Sequence, residues 1–155
     1  MEDGTEGYTK YVRKIEGLLL TDTNWRDSRQ YILATRMINQ YLANAANFTN
    51  LSLRKSFSLN MWGGATFNVD MHFLNEYPWE RLKTLREKVL DVPFQMMLYG
   101  ANTGGYTNYP DKIVHKLFKQ AYKSGVEVLH IHNYINYTEN LNLSINTAVG
   151  AGGFM

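Results

Sequence analysis

Leu18-Leu19-Leu20-Thr21-Asp22-Thr23-Asn24-Trp25-Arg26-Asp27 is an apolar run that ends abruptly in an arginine–aspartate pair. Leucines followed by alternating polar residues predict a buried strand over 18–23, and helical spacing begins at Tyr31. An acid and a base at the C-terminal end of a buried parallel strand stand where α/β folds place their chemistry. Arg26 and Asp27 are therefore the first candidate site residues. On their own chemistry they fit a structural pair capping the first helix better than a site.

Outward from this stretch, strand-like and helix-like runs alternate. Apolar residues at helical spacing (Ile32, Leu33, Met37, Ile38, Tyr41, Leu42, Ala45) predict a helix over 32–46. A second strand is expected over 57–62, closed by Gly63-Gly64, and then a short turn over 69–74. Pro78 suits the first turn of a helix over 78–90. A third strand over 94–98 runs into the glycine-rich loop 100–105. Pro110 and Gly125 bracket a helix over 110–124, followed by a strand over 126–131 and a helix over 139–149. Alternation of this kind argues a parallel sheet with right-handed crossovers.

The 155 residues suffice for one domain, with 45% hydrophobic and 19% charged residues, a globular balance. A formal charge of +2, with both signs mixed along the chain, gives no footprint for nucleic acid. The absence of cysteine removes disulfides, thiol nucleophiles and thiolate metal sites. The chain has no apolar run long enough to span a bilayer, and the mixed charges at Glu2, Asp3, Glu6, Lys10 and Arg13 do not form a secretory signal. The expectation is an intracellular α/β protein, in which Asn-x-Ser/Thr triplets such as Asn47-Phe48-Thr49 are accidents of an asparagine-rich chain.

Several other residues invite a chemical reading. His130-Ile131-His132 puts two imidazoles on one face of a strand, as metal ligands or, more simply, as packed and hydrogen-bonded histidines. The loop 100–105 lacks the Gly-Lys-Ser/Thr that a phosphate loop requires. Met96 and Met97 fit core filling, and His72 and His115 fit exposed positions on helical segments.

Asp22 to Arg36 resembles the first strand and following segment of the pyruvate carboxylase carboxyltransferase barrel, where the family has Asp-Thr-Thr-x-Arg-Asp-x-His-Gln-Ser and then Leu-Leu-Ala-Thr-Arg. Trp62-Gly63-Gly64-Ala65-Thr66-Phe67 repeats the family's second-strand signature. Pro78-Trp79-Glu80-Arg81-Leu82, Pro93-Phe94-Gln95-Met96, Gly100-Ala101-Asn102 and Gly105-Tyr106-Thr107-Asn108-Tyr109-Pro110-Asp111 follow in order. The resemblance runs over about 7–153 and implies the first four βα units of a (β/α)8 TIM barrel, a partial barrel spanning 17–155 after a lead-in helix or linker over 1–16. A closed barrel of this type needs eight strands and about 250 residues. The two open edges would then need the missing barrel half or a second copy of the chain.

The resemblance implies transfer of a carboxyl group from carboxybiotin to pyruvate, giving oxaloacetate, with a divalent metal (manganese or zinc) and biotin in the parent enzyme. Asp27 matches the family's metal-ligand aspartate. Arg26 and Gln30 match residues that line the pyruvate and biotin pocket and are the expected catalytic pair; Tyr106 matches a tyrosine beside them. Tyr99 stands where the family has an arginine that clamps the substrate carboxylate, which removes a bidentate cation. Arg29 replaces a histidine, Asn60, Asn68 and Asn133 replace acidic residues, and His130 replaces an arginine. Tyr99, Arg29, Asn60, Asn68 and Asn133 are expected at or near strand C-terminal ends, where they alter the charge of the catalytic face. Two readings follow: a piece of a pyruvate carboxylase that is incomplete alone, in mitochondria or cytoplasm, or an inactive half barrel acting as a structural or self-associating module.

Overall fold

The computed structural model describes residues 4–29, 33, 36–100, 108–134 and 137–151. Helix α1 (Gly4–Lys14) precedes strand β1 (Thr21–Asp22) and the short helix α2 (Asn24–Asp27). Then come α3 (Asn39–Leu53), β2 (Ser58–Trp62), α4 (Gly64–His72), α5 (Pro78–Arg86), β3 (Phe94–Tyr99), α6 (Asp111–Lys123), β4 (Val126–His132) and α7 (Thr138–Gly150). The four strands form one parallel sheet in sequence order, with β1 and β4 at its edges. This α/β arrangement of strands joined by helical crossovers is the one expected of four barrel units.

The two faces of the sheet differ in chemistry. Leu59, Met61, Phe94, Met96, Leu98 and Leu129 are buried with helix residues Leu42, Ala46, Leu82, Leu85, Val114, Phe118, Ala121 and Ala148 in one apolar core. A register irregularity between Asn60 and Trp62 re-aims the end of β2, so that Trp62 joins this core. Its ring lies 5.8 Å from Phe67 on α4 and 5.2 Å from Trp79 on α5. The opposite face carries a hydrogen-bonded ladder. The Ser58 hydroxyl donates to Gln95 Oε1 (2.7 Å), so it accepts from the Thr21 hydroxyl (2.8 Å), while Gln95 Nε2 approaches His130 Nδ1 at 3.5 Å. One polar side chain from each strand thus ties the sheet together from edge to edge.

At the N-terminal end of the sheet, α1 lays Tyr8 against Phe57, with ring centroids 6.0 Å apart. Burial and the nearby Glu127 carboxylate push the Tyr8 hydroxyl up to about 12. Between α6 and β4 the chain passes Gly125 at φ +101°, where an added Cβ would lie 2.7 Å from Cγ of Arg86. Glycine is required there for both reasons. Arg86 is itself fixed by Glu127 (2.9 Å) and by the Phe94 ring beneath it (4.3 Å).

Three local expectations are corrected. The first strand is two residues long, and Leu18, Leu19 and Leu20 are exposed at 84%, 38% and 61%. They lead into β1 at the edge of the sheet, with the Leu20 carbonyl accepting from the Phe57 N–H (2.8 Å), and an apolar run alone does not bury itself. The second helix begins at Asn39, not Ile32, because its first N–H donates to the distant Glu76 carboxylate (2.9 Å), a cap the local sequence does not contain. Of the earlier part of that expected helix, residues 32, 34 and 35 lie outside the described residues. The expected turn over 69–74 is largely helix α4, started where the Gly63 N–H donates to Thr66 Oγ1 (3.0 Å). His72 and His115 are exposed, as expected.

The one-sided core gives a direct contrast between two leucines. Leu59→Ala, at a fully buried position, is expected to cost about 2–5 kcal/mol in urea unfolding. Leu18→Ala, at an exposed one, is expected to change stability by less than about 0.5 kcal/mol. Equal effects would mean that the leucine run is packed in solution.

Candidate functional site

The turn after β1 carries Trp25, Arg26 and Asp27. Asp22 accepts from the Asn24 N–H (3.0 Å) and from its side-chain amide (2.9 Å), which bends the chain out of the strand. Trp25 then anchors the turn in the core at 6% exposure. Arg26 and Asp27, the last two residues of α2, pair with each other at 3.0 Å; both are half-buried, and neither caps the helix. At the far edge, His132 ends β4 on the ladder face. Tyr99, which ends β3, meets the His132 ring edge-on with centroids 4.3 Å apart and stacks on Tyr134 at 5.4 Å.

The Arg26–Asp27 pair thus follows β1, and the Tyr99–His132 pair ends β3 and β4, at the end of the sheet where parallel α/β folds bind ligands. Burial, His130 and Arg26 all hold the His132 imidazole below its ordinary value, so it is neutral at neutral pH. Of the other expected site residues, Gln30 and Tyr106 lie outside the described residues.

Among curated proteins, mitochondrial pyruvate carboxylase of Mus musculus is 45% identical over 153 residues, or 99% of this chain. Pyruvate carboxylase of Staphylococcus aureus is 42% identical over 98% of it. The carboxyl transferase domain of Rhizobium etli pyruvate carboxylase, solved with pyruvate, superposes with a TM-score of 0.90 at 40% identity over 97% of the chain. This chain is homologous to the pyruvate carboxylase carboxyltransferase domain. It spans 13% of the length of the curated relatives and 25% of the Rhizobium etli domain chain. The same domain has also been solved with oxamate and biotin. No protein-family profile matches the chain.

Within that carboxyltransferase architecture, the described residues do not by themselves fit a divalent metal. They include no cluster of three or more His, Asp or Glu side chains able to hold one, and the Asp27 carboxylate is engaged by Arg26. His130 and His132 do share a face, with ring centroids 5.9 Å apart, but no described carboxylate completes a set with them. No described helix is long and apolar enough to cross a membrane.

The expected placement of Arg29 on the catalytic face is overturned. Its side chain is wholly buried and donates to Asn39 Oδ1 (2.9 Å) and Glu76 (2.7 Å), and it also pairs with Asp70 on α4. Arg81, equally buried on α5, stands 3.9 Å from Asp70 and donates to the Met61 carbonyl (3.3 Å). This knot of two guanidiniums and two carboxylates lies behind the Arg26–Asp27 turn and links it to α3, α4 and α5. Asn60 lies in the middle of β2, not at its end, and is buried. The signal for the knot was present in four separated charges, but nothing local pairs residues 29, 70, 76 and 81.

Burial draws Arg81 down to about 9, which leaves it protonated at neutral pH. Burial also lifts the Asp70 carboxyl from 3.8 to about 6, against the opposing pull of Arg81 and Arg29. A folded pKa above the unfolded one means that the stability gained is complete below pH 3.8 and is lost as pH rises through 6. The stability of the native chain relative to Asp70→Asn is therefore expected to fall between pH 4 and pH 7, by on the order of 1–3 kcal/mol. A difference flat across that range in urea titrations would contradict the assignment.

Proposed function

We propose that the chain supplies four βα units of a carboxyltransferase barrel in a biotin-dependent pyruvate carboxylase, which transfers the carboxyl group of carboxybiotin to pyruvate to give oxaloacetate. The observation that carries this reading is the placement of the Arg26–Asp27 pair after β1 and of Tyr99 at the end of β3, in a fold superposing on a domain solved with pyruvate. Arg26 binds and orients developing negative charge on the substrate, and Gln30 and Tyr106 extend the pyruvate and biotin pocket. Tyr99 contributes an aromatic wall and a single hydroxyl donor.

Asp27 is the carboxylate this chain offers to a divalent metal; the other ligands would come from further strands of the barrel. A bound metal would polarise the keto acid toward its enolate. Turnover requires those strands and the biotin-carrying parts of a complete enzyme. The compartment follows that enzyme, mitochondrial or cytoplasmic. A second reading, a structural module without catalysis, draws on the exposed Leu18 and Leu20 beside an open edge.

A chimera decides between them. The 153 matched residues of the Mus musculus enzyme are replaced by those of this chain, and oxaloacetate formation is measured with biotin carboxylation as an internal control. The chimera is expected to form oxaloacetate, and Asp27→Ala in it is expected to lower the rate at least about 100-fold. A folded chimera that carboxylates biotin yet forms no oxaloacetate favours the structural module.

A further inference from the structure

A groove of about 440 Å³ opens between α5 and α6, and none of its lining residues comes from a strand or from the Arg26–Asp27 turn. Its floor is apolar, made by Trp79 of α5 with Ile113 and Leu117 of α6. Trp79 is held from beneath, its ring 5.2 Å from Trp62 and 5.7 Å from Phe67. Leu117 packs against the same core. The floor is therefore fixed by the fold before anything binds to it.

The charge around this floor has one sign. Lys112, Lys116, Lys119 and Lys123 recur at helical spacing, so they form a stripe along one side of α6, and all four are exposed. The last three border the groove. Every ion pair among the described residues is made by an arginine, so no described carboxylate neutralises these lysines. No carboxylate lines the groove either. Glu80, next to Trp79 in the chain, lines a separate cleft with Asn39 and Tyr77. Like charges one turn apart destabilise a helix, and an anionic occupant relieves that repulsion.

Length decides the kind of occupant. From Lys112 to Lys123 the stripe extends about 16 Å along the helix axis, more than a small anion spans and about three turns of a second helix. The lysine methylenes widen the apolar floor while their ammonium groups stay in water. We propose that this groove docks an acidic amphipathic helix of a partner polypeptide. Its apolar residues lie on Trp79, Ile113 and Leu117, and its carboxylates pair with the lysine stripe. The proposal uses no residue of the strand-end site and stands apart from carboxyl transfer.

The test is amide nuclear magnetic resonance of the full chain, titrated with a stapled helical peptide. The peptide carries leucines at i, i+3, i+4 and i+7, with glutamates on both flanks of that stripe. A peptide of the same composition, shuffled so that no single face is apolar, is the control, and sodium pyrophosphate is titrated separately. The helical peptide is expected to shift amides in residues 113–123 saturably, and to bind at least about tenfold more tightly than the shuffled one. The double variant Lys116→Glu, Lys119→Glu changes only exposed positions, so it is expected to fold as the parent does and to weaken binding at least about tenfold. No saturable shift in residues 113–123 overturns the proposal, and this readout needs no variant. Equal binding of the shuffled peptide, or unchanged affinity in the folded double variant, overturns it as well. Pyrophosphate bound as tightly as the peptide makes the groove a small-anion site, and the same shifts produced by raising protein concentration alone make the occupant a second copy. Either result overturns the partner helix.

Discussion

A parallel strand cannot be joined to the next by a tight turn, so each connection must cross over the sheet, and crossovers of one hand cover one face. In this chain that constraint sets the rest. The helices bury Leu59, Met61, Phe94, Met96 and Leu98 on their side, and the apolar core is one-sided as a result. The opposite face carries polar side chains that satisfy one another, with Ser58 and Gln95 buried there. The Thr21–Ser58–Gln95–His130 ladder crosses all four strands, and on the same side Tyr99 and His132 meet at the ends of β3 and β4.

The buried charges carry the second structural task. A wholly buried ion pair gains little net stability over apolar packing, because desolvating two charges offsets most of their attraction. Its value lies in geometry. Arg29 sits two residues beyond Asp27, and its fork to Asp70, Glu76 and Asn39 fixes the turn relative to three helices. Glu76 at the same time supplies the missing cap of α3. One carboxylate thus ends an electrostatic knot and begins a helix, and the Arg26–Asp27 turn is held from behind by groups that never reach the ligand side.

What the sequence made legible follows from the range of each interaction. Strands β2, β3 and β4 and helices α5, α6 and α7 come from short-range patterns: alternation, Pro78 at a helix start, Gly125 past a helix end. Helix α3 was displaced because its start depends on Glu76, 37 positions away. Strand β1 was overread because its leucines have the composition of a buried strand but lack a neighbour on one side. In the site, Arg26 and Asp27 stand out by their place after an apolar run and by resemblance, Tyr99 by resemblance alone, and His132 reads as a metal ligand or a packing residue. Its contact with Tyr99 required β3 and β4 to be placed side by side. Arg29 was misplaced for the same reason, since its partners lie on other elements.

A one-sided apolar core suffices to hold a four-stranded parallel sheet whose first edge is the weakest. Amide hydrogen exchange of the full chain tests it most directly. The slowest exchange is expected at residues 59–61 and 94–98, where strands have neighbours on both sides and the core beneath. Exchange should be faster at β4 and fastest at residues 18–22. Uniformly fast exchange through β2 and β3, or protection of residues 18–20 equal to theirs, would contradict it.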